Sequence, residues 1–122
     1  MTPIVYPQKS IAIIDSSSIG EARRFSSRMG ETARLKQADL DRVPLIVTEL
    51  ATNLIQHARN GEILIRVLPI EAGPGVEIIA IDRGPGIADL PRCMADGYSS
   101  RGTRGCGLGA VRRLSTEFDI HS

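Results

Sequence analysis

Cysteine is scarce: Cys93 and Cys106 are the two in 122 residues. Two such thiols make neither a disulfide framework nor a metal-ligand set, and they suit a reducing cytoplasm. Net charge is nearly absent too, with 15 Lys and Arg against 14 Asp and Glu. An excess of +1 gives no general attraction for nucleic acid or an anionic membrane. No apolar run approaches the length needed to cross a bilayer, and the start Met-Thr-Pro-Ile-Val-Tyr-Pro lacks the basic and apolar regions of a secretory signal. Internal repeats and linker-like stretches are missing as well. What is present is a globular composition, 42% apolar and 24% charged. A chain of this length buries about 65% of its unfolded surface in one core, so a single domain over residues 1–122 is expected. Its cations are peculiar, because 13 of the 15 are Arg and five of those, Arg92, Arg101, Arg104, Arg112 and Arg113, share one glycine-bearing C-terminal segment. That is the local composition of a phosphate site.

Residues Ser10 to Ile14 are rich in β-branched side chains and end in the polar cluster Asp15-Ser16-Ser17-Ser18, a strand followed by a helix cap. From Ile19 to Met29, Ile19, Ala22, Phe25, Ser26 and Met29 recur at helical spacing opposite Glu21, Arg23, Arg24 and Arg28, with Gly30 as the expected stop. Leu40, Val43, Val47, Leu50, Ala51, Leu54 and Ala58 mark the longest helix, over Ala38 to Ala58, closed by Asn60-Gly61. Pro44 leaves two alternatives, a start near Asp41 or a bend at the proline. Glu62 to Leu68 and Val76 to Asp82 read as a hairpin around the turn Glu71-Ala72-Gly73-Pro74-Gly75. Gly84 to Gly107 is long for a connection, dense in Gly, Ser and Arg around a short helix at Leu90 to Ala95, and has the character of a lid or a disordered loop. Leu108 to Ser115 reads as a helix opened by glycines, and Phe118 to Ser122 as the start of a strand.

Three constellations carry chemistry. Glu49 and Asn53 lie four residues apart, so both point to one face of the long helix beside its buried stripe; the plain alternative is a pair of solvated helix positions. Asp82-Arg83-Gly84-Pro85-Gly86 places a carboxylate at a strand end before two glycines that permit close ligand approach, or else forms an ordinary turn. Gly102-Thr103-Arg104-Gly105-Cys106-Gly107-Leu108-Gly109 runs into a helix whose free amides and dipole favour phosphate, or is a flexible loop. No Gly-x-x-x-x-Gly-Lys-Ser/Thr sequence occurs, and the loop follows no first strand with an acidic residue about 20 positions on, so neither the P-loop nor the dinucleotide reading holds. His57 reads as a partly buried helix histidine in preference to a catalytic one, Cys106 as a loop filler, and Arg112 and Arg113 as a solvated or partner-facing surface.

The order of these pieces is more specific than any one of them. Glu49-x-x-x-Asn53, Asp82-x-Gly84-x-Gly86 and Gly105-Cys106-Gly107-Leu108-Gly109 resemble the N box and the two glycine boxes of the GHKL ATP-binding superfamily, the Bergerat fold, and the resemblance runs from Ser10 to the end of the chain. Glu49-Leu50-Ala51-Thr52-Asn53-Leu54-Ile55-Gln56-His57-Ala58, Asp96-Gly97-Tyr98-Ser99-Ser100 and Arg112-Arg113-Leu114-Ser115-Thr116-Glu117-Phe118 look most like its anti-sigma-factor and switch serine kinases. The fold implied is an α/β two-layer sandwich, a mixed and mainly antiparallel sheet with helices on one face.

The resemblance also implies ATP and Mg²⁺ as cofactors. Asn53 would ligate Mg²⁺, Asp82 would accept from the adenine amino group, and Gly84 and Gly86 would let the nucleotide approach. Gly105, Gly107, Leu108 and Gly109 would offer amides to the phosphates, with Arg101 or Arg104 adding charge near the γ-phosphate. Glu49 stands where the kinases and ATPases of the superfamily keep a general base, which favours catalysis. The implied function is a cytoplasmic serine/threonine kinase-like domain that acts on an anti-sigma-factor antagonist of the STAS type by partner switching. The alternative is a non-catalytic ATP-binding module of a protein that also carries a serine phosphatase domain; a metabolic or transport ATPase would need a longer chain. The family pattern continues beyond Phe118-Asp119-Ile120-His121-Ser122 into a Gly-Thr turn and one more strand. A missing last strand, weaker nucleotide binding and an open sheet edge able to pair with a second copy are therefore expected.

Overall fold

A computed structural model of the chain describes residues 7–57, 61–69, 71, 73–82 and 108–118. The elements are β1 (Gln8–Ala12), α1 (Ser16–Thr32), α2 (Gln37–His57), β2 (Glu62–Val67), β3 (Val76–Ile81) and α3 (Leu108–Leu114). The strands lie in the order β1-β2-β3, both pairs antiparallel. Among the described residues no parallel pair occurs, and the expected strand at Phe118 to Ser122 and the short helix at Leu90 to Ala95 lie outside them, save Phe118, which takes no strand conformation.

The alternation in β2 decides which face is covered. Ile63, Ile65 and Val67 are buried, and the register sets Ala80, Ile78 and Val76 beside them, with Ile11 against Ile63 on the other flank. α1 and α2 cover this face with Ala22, Phe25, Met29, Val47, Ala51 and Leu54. Burying each large side chain contributes roughly 1.5–3 kcal/mol, so the isoleucines of β2, fully shielded, anchor the layer. The opposite face carries the Arg66–Glu77 pair, directly opposed across β2 and β3, and Ser10 donates to Glu62 at 2.7 Å. The two-layer sandwich with helices on one face is therefore present.

α1 begins where the polar cluster predicts. The Asp15 carboxylate accepts from the Ser18 amide at 3.0 Å, and the Ser18 hydroxyl accepts from the Asp15 amide at 3.1 Å, a reciprocal capping box. Ser17 and the Ser18 amide, by hydrogen bonding to Asp15, hold its carboxyl below the usual 3.8. β1 consequently ends at Ala12, two residues before the expected Ile14, because the Ile14 amide is drawn to the Ser18 hydroxyl at 3.0 Å.

The stop of α1 differs from expectation. The helix passes Gly30 and ends at Thr32 with a Schellman motif: Leu35 N–H donates to Gly30 C=O at 3.1 Å and Arg34 N–H to Glu31 C=O at 3.0 Å, with Arg34 left-handed at φ 58°. Gly30 serves close approach instead, since a Cβ there would meet Leu40 Cδ2 at 2.9 Å. α2 likewise starts at Gln37, ahead of the alternative near Asp41, and carries Pro44 inside it. The Lys36 carbonyl accepts from the Asp39 and Leu40 amides, each at 3.0 Å, so the first turn is closed before the proline is reached. Among the described residues no helix is long and apolar enough to cross a membrane.

Candidate functional site

α2 supplies the first part of the site. Its buried residues Val43, Val47, Ala51 and Leu54 set the rotation of the helix, and Glu49 and Asn53 then fall on the flank of that stripe, both half-buried. His57 continues the line one turn on, half-buried, with its Nε2 shielded from solvent. The Asn53 side chain is the informative one: its Oδ1 is buried and, among the described residues, has no hydrogen-bond partner. A buried acceptor left unpaired costs about 1–3 kcal/mol, so a native orphan of this kind calls for an ion or a ligand.

Asp82 is brought to the same end of the molecule by packing. Gly61 lies against the last turns of α2, where a Cβ would meet Leu54 Cδ2 at 2.9 Å and Leu54 Cβ at 3.0 Å. Its carbonyl accepts from the Ile13 amide at 2.9 Å, tying β1 to the same point. Glu62 follows directly and pairs with Ile81, so Asp82, half-buried, leaves β3 at the sheet end on which the Asn53 turn rests. The sequence pattern treats Gly61 only as a helix closer; its role as the junction between α2 and the sheet depends on packing and has no local signal.

α3 packs against α2 and buries Val111, so the end of the glycine-bearing segment is carried to the same helix. Leu108 and Gly109 form the first turn of α3. Gly84, Gly86, Arg101, Arg104, Gly105 and Gly107 lie outside the described residues, as do Cys93, Cys106 and the whole of the expected lid. Arg112 and Arg113 are exposed, as a solvated or partner-facing surface requires.

The donor set fits Mg²⁺ better than a caged transition metal. Among the described residues no three His, Cys, Asp or Glu side chains form a cluster. A hard ion that keeps several waters and takes phosphate oxygens needs only one or two protein oxygens, and a buried, unpaired amide oxygen is such a donor.

Comparison with known proteins places these features. Residues 14–122 match the family described as "Histidine kinase-like ATPase domain". The chain is also similar to "Serine/threonine-protein kinase RsbT" of Bacillus subtilis (strain 168), with 34% identity over 115 residues, 94% of this chain and 86% of the relative. The resemblance drawn from the Glu49–Asn53 pair and the two glycine segments is borne out at the level of the family. Matched over residues 14–122, and 34% identical to that relative over 94% of its length, the chain belongs to the histidine kinase-like ATPase domain family.

Proposed function

We propose that this chain binds ATP with Mg²⁺ and transfers the γ-phosphate to a serine or threonine of a partner protein, as a cytoplasmic partner-switching regulator. The acceptor is an anti-sigma-factor antagonist of the STAS type. The observation that carries this reading is the buried Oδ1 of Asn53, without a hydrogen-bond partner among the described residues and one helical turn from the half-buried Glu49. Similarity to a relative named as a serine/threonine kinase supports the class of reaction.

The roles follow from chemistry and placement. Asn53 holds Mg²⁺ through Oδ1, and the ion, when bound, offsets phosphate charge. Asp82 accepts from the adenine amino group at the sheet end, with Gly84 and Gly86 allowing the base close approach. The amides of Gly105, Gly107, Leu108 and Gly109 would serve as donors to the phosphates, and Arg101 or Arg104 would add a cation near the γ position. Glu49 orients the acceptor hydroxyl and takes its proton as the serine oxygen bonds to the γ-phosphorus and the bond to the β,γ-bridging oxygen breaks. A positioned base of this kind contributes typically 10²–10⁴-fold.

Calorimetric titration with Mg·ATP, followed by phosphotransfer to a STAS-type acceptor, tests the assignment. Wild type is expected to bind, N53A and D82A to lose binding, and E49A to bind while transfer falls by roughly 10²–10⁴. A wild-type chain that binds no nucleotide refutes the reading. Transfer that survives in E49A refutes the base, and binding without any transfer in wild type turns the conclusion to a regulatory module.

A further inference from the structure

The opposite side of α2 holds a second feature. Arg23, Arg24 and Arg28, all exposed on α1, line a cleft of about 580 Å³ together with Gly20, Ser27 and Pro44. Among the described residues none of the three guanidinium groups takes an ion pair or a hydrogen bond. Three acids of α1 and α2 are engaged elsewhere: Glu21 with Lys9 at 3.2 Å, Asp39 with Arg42 at 3.8 Å, and Asp41 with Gln37 at 2.7 Å. Three cations thus face one cleft, none of them in an ion pair among the described residues.

The side chains are arranged as well as charged. The Arg28 guanidinium lies 5.7 Å from the centre of the Phe25 ring. Arg24 folds back across Gly20, its Nη1 3.2 Å from where a Cβ would stand, so the absence of a side chain at Gly20 gives that guanidinium its seat. Pro44 forms the far wall, and beside it Leu45 is 51% exposed on α2. Pro44 and Asn53 are nine residues apart on one helix, which at about 100° per residue puts them on opposite faces. The cleft is therefore separate from the nucleotide site.

We infer that this cleft is a docking surface for an acidic segment of a partner protein, with Asp or Glu carboxylates in the arginine forks and an apolar side chain against Pro44 and Leu45. Arginine's planar donors match carboxylates two at a time. A nucleic acid would call for an extended basic track, and the chain as a whole carries only +1. The inference rests on the proposed reading as a protein-directed switch and identifies where its partner is held.

The test uses fluorescence anisotropy with a labelled peptide of glutamates and leucines in equal number, added to the intact chain without nucleotide. Saturable binding is expected, weakened at least about tenfold in R23E/R24E, a change that corresponds to one favourable charge pair or more. A peptide with lysine in place of each glutamate is expected to prefer the R23E/R24E protein. The milder R23Q/R24Q pair serves if the reversal disturbs folding, and Arg28 is left in place because it borders Phe25. Equal affinity for wild type and variant, absence of saturable binding, or displacement of the peptide by inorganic phosphate at equal concentration overturns the inference. Mg·ATP titration of the same variants separates it from the reading above. Nucleotide binding with lost docking in wild type refutes the cleft alone; peptide docking without nucleotide binding refutes the kinase assignment alone.

Discussion

Replacing Asn53 by leucine should make the nucleotide-free protein more stable while removing its function. The Asn53 Oδ1 atom is buried and unpaired among the described residues, and an unsatisfied acceptor costs about 1–3 kcal/mol. Leucine also exceeds asparagine in helix propensity, by roughly 0.5 kcal/mol. The residue is only half-buried, so the lower part of the range applies and the gain expected is about 1.5 kcal/mol. Unfolding entropy near 2.1 cal/mol/K per residue gives roughly 0.26 kcal/mol/K for a chain of 122 residues, which turns that gain into a rise in Tm of about 6 °C. Mg·ATP at a hundred times its Kd should stabilise wild type by about 2.7 kcal/mol, or roughly 10 °C, and leave N53L unmoved. Differential scanning calorimetry with and without Mg·ATP reads both quantities. A lowered Tm in N53L, or an equal nucleotide-induced shift in both proteins, would refute the assignment of this amide as a site kept for a ligand.

Three further outcomes follow from the packing and the caps. G61A should lose about 1–3 kcal/mol in urea unfolding and weaken Mg·ATP binding, because the new methyl meets Leu54 Cβ, which the helix backbone fixes, and not merely a movable side-chain end. R34G should gain about 0.5–1 kcal/mol in the same assay, since φ 58° is strained for arginine and free for glycine; no gain would mean that Arg34 makes a compensating contact. The Asp15 carboxyl titrates below 3.8 in the folded chain, so its contribution is complete above that value and is lost as pH falls through the lower folded pKa. D15A should therefore flatten the acid limb of the urea midpoint against pH, and an unchanged limb would remove the cap from the account.

Much of the fold was legible because its signals are local. The alternation of Ile63, Ile65 and Val67 and the three-to-four spacing of Val43, Val47, Ala51 and Leu54 are sufficient to orient β2 and α2. Boundaries were less so. Gly30 has the composition of a helix stop, yet α1 runs on because its Cβ-less surface is needed by Leu40, and the left-handed stop falls on Arg34. The proline at position 44 tells nothing of the turn ahead of it, which the Lys36 carbonyl closes. β1 begins at Gln8 because Val67 N–H donates to Pro7 C=O at 3.0 Å, a long-range bond without a trace in the strand's own residues.

The candidate site divides in the same way. The four-residue interval between Glu49 and Asn53 predicts one face of one helix, and helix geometry guarantees it. That Asn53 presents an oxygen unpaired among the described residues is another matter, since it depends on what the neighbouring elements withhold. The approach of Asp82 depends on a chain of contacts, Leu54 to Gly61, Glu62 to Ile81, in which every link joins residues distant in sequence or in different elements. The arginines of α1 show the converse. As a pattern they are the ordinary polar side of an amphipathic helix, and only the folded arrangement sets them on one cleft with no ion pair among the described residues. Local spacing thus nominates residues, while their chemical availability is fixed by the partners that tertiary structure gives or denies them. Groups without a protein partner among the described residues, such as the buried Asn53 oxygen and the exposed Arg23–Arg24 pair, are accordingly where substitution should separate binding from stability.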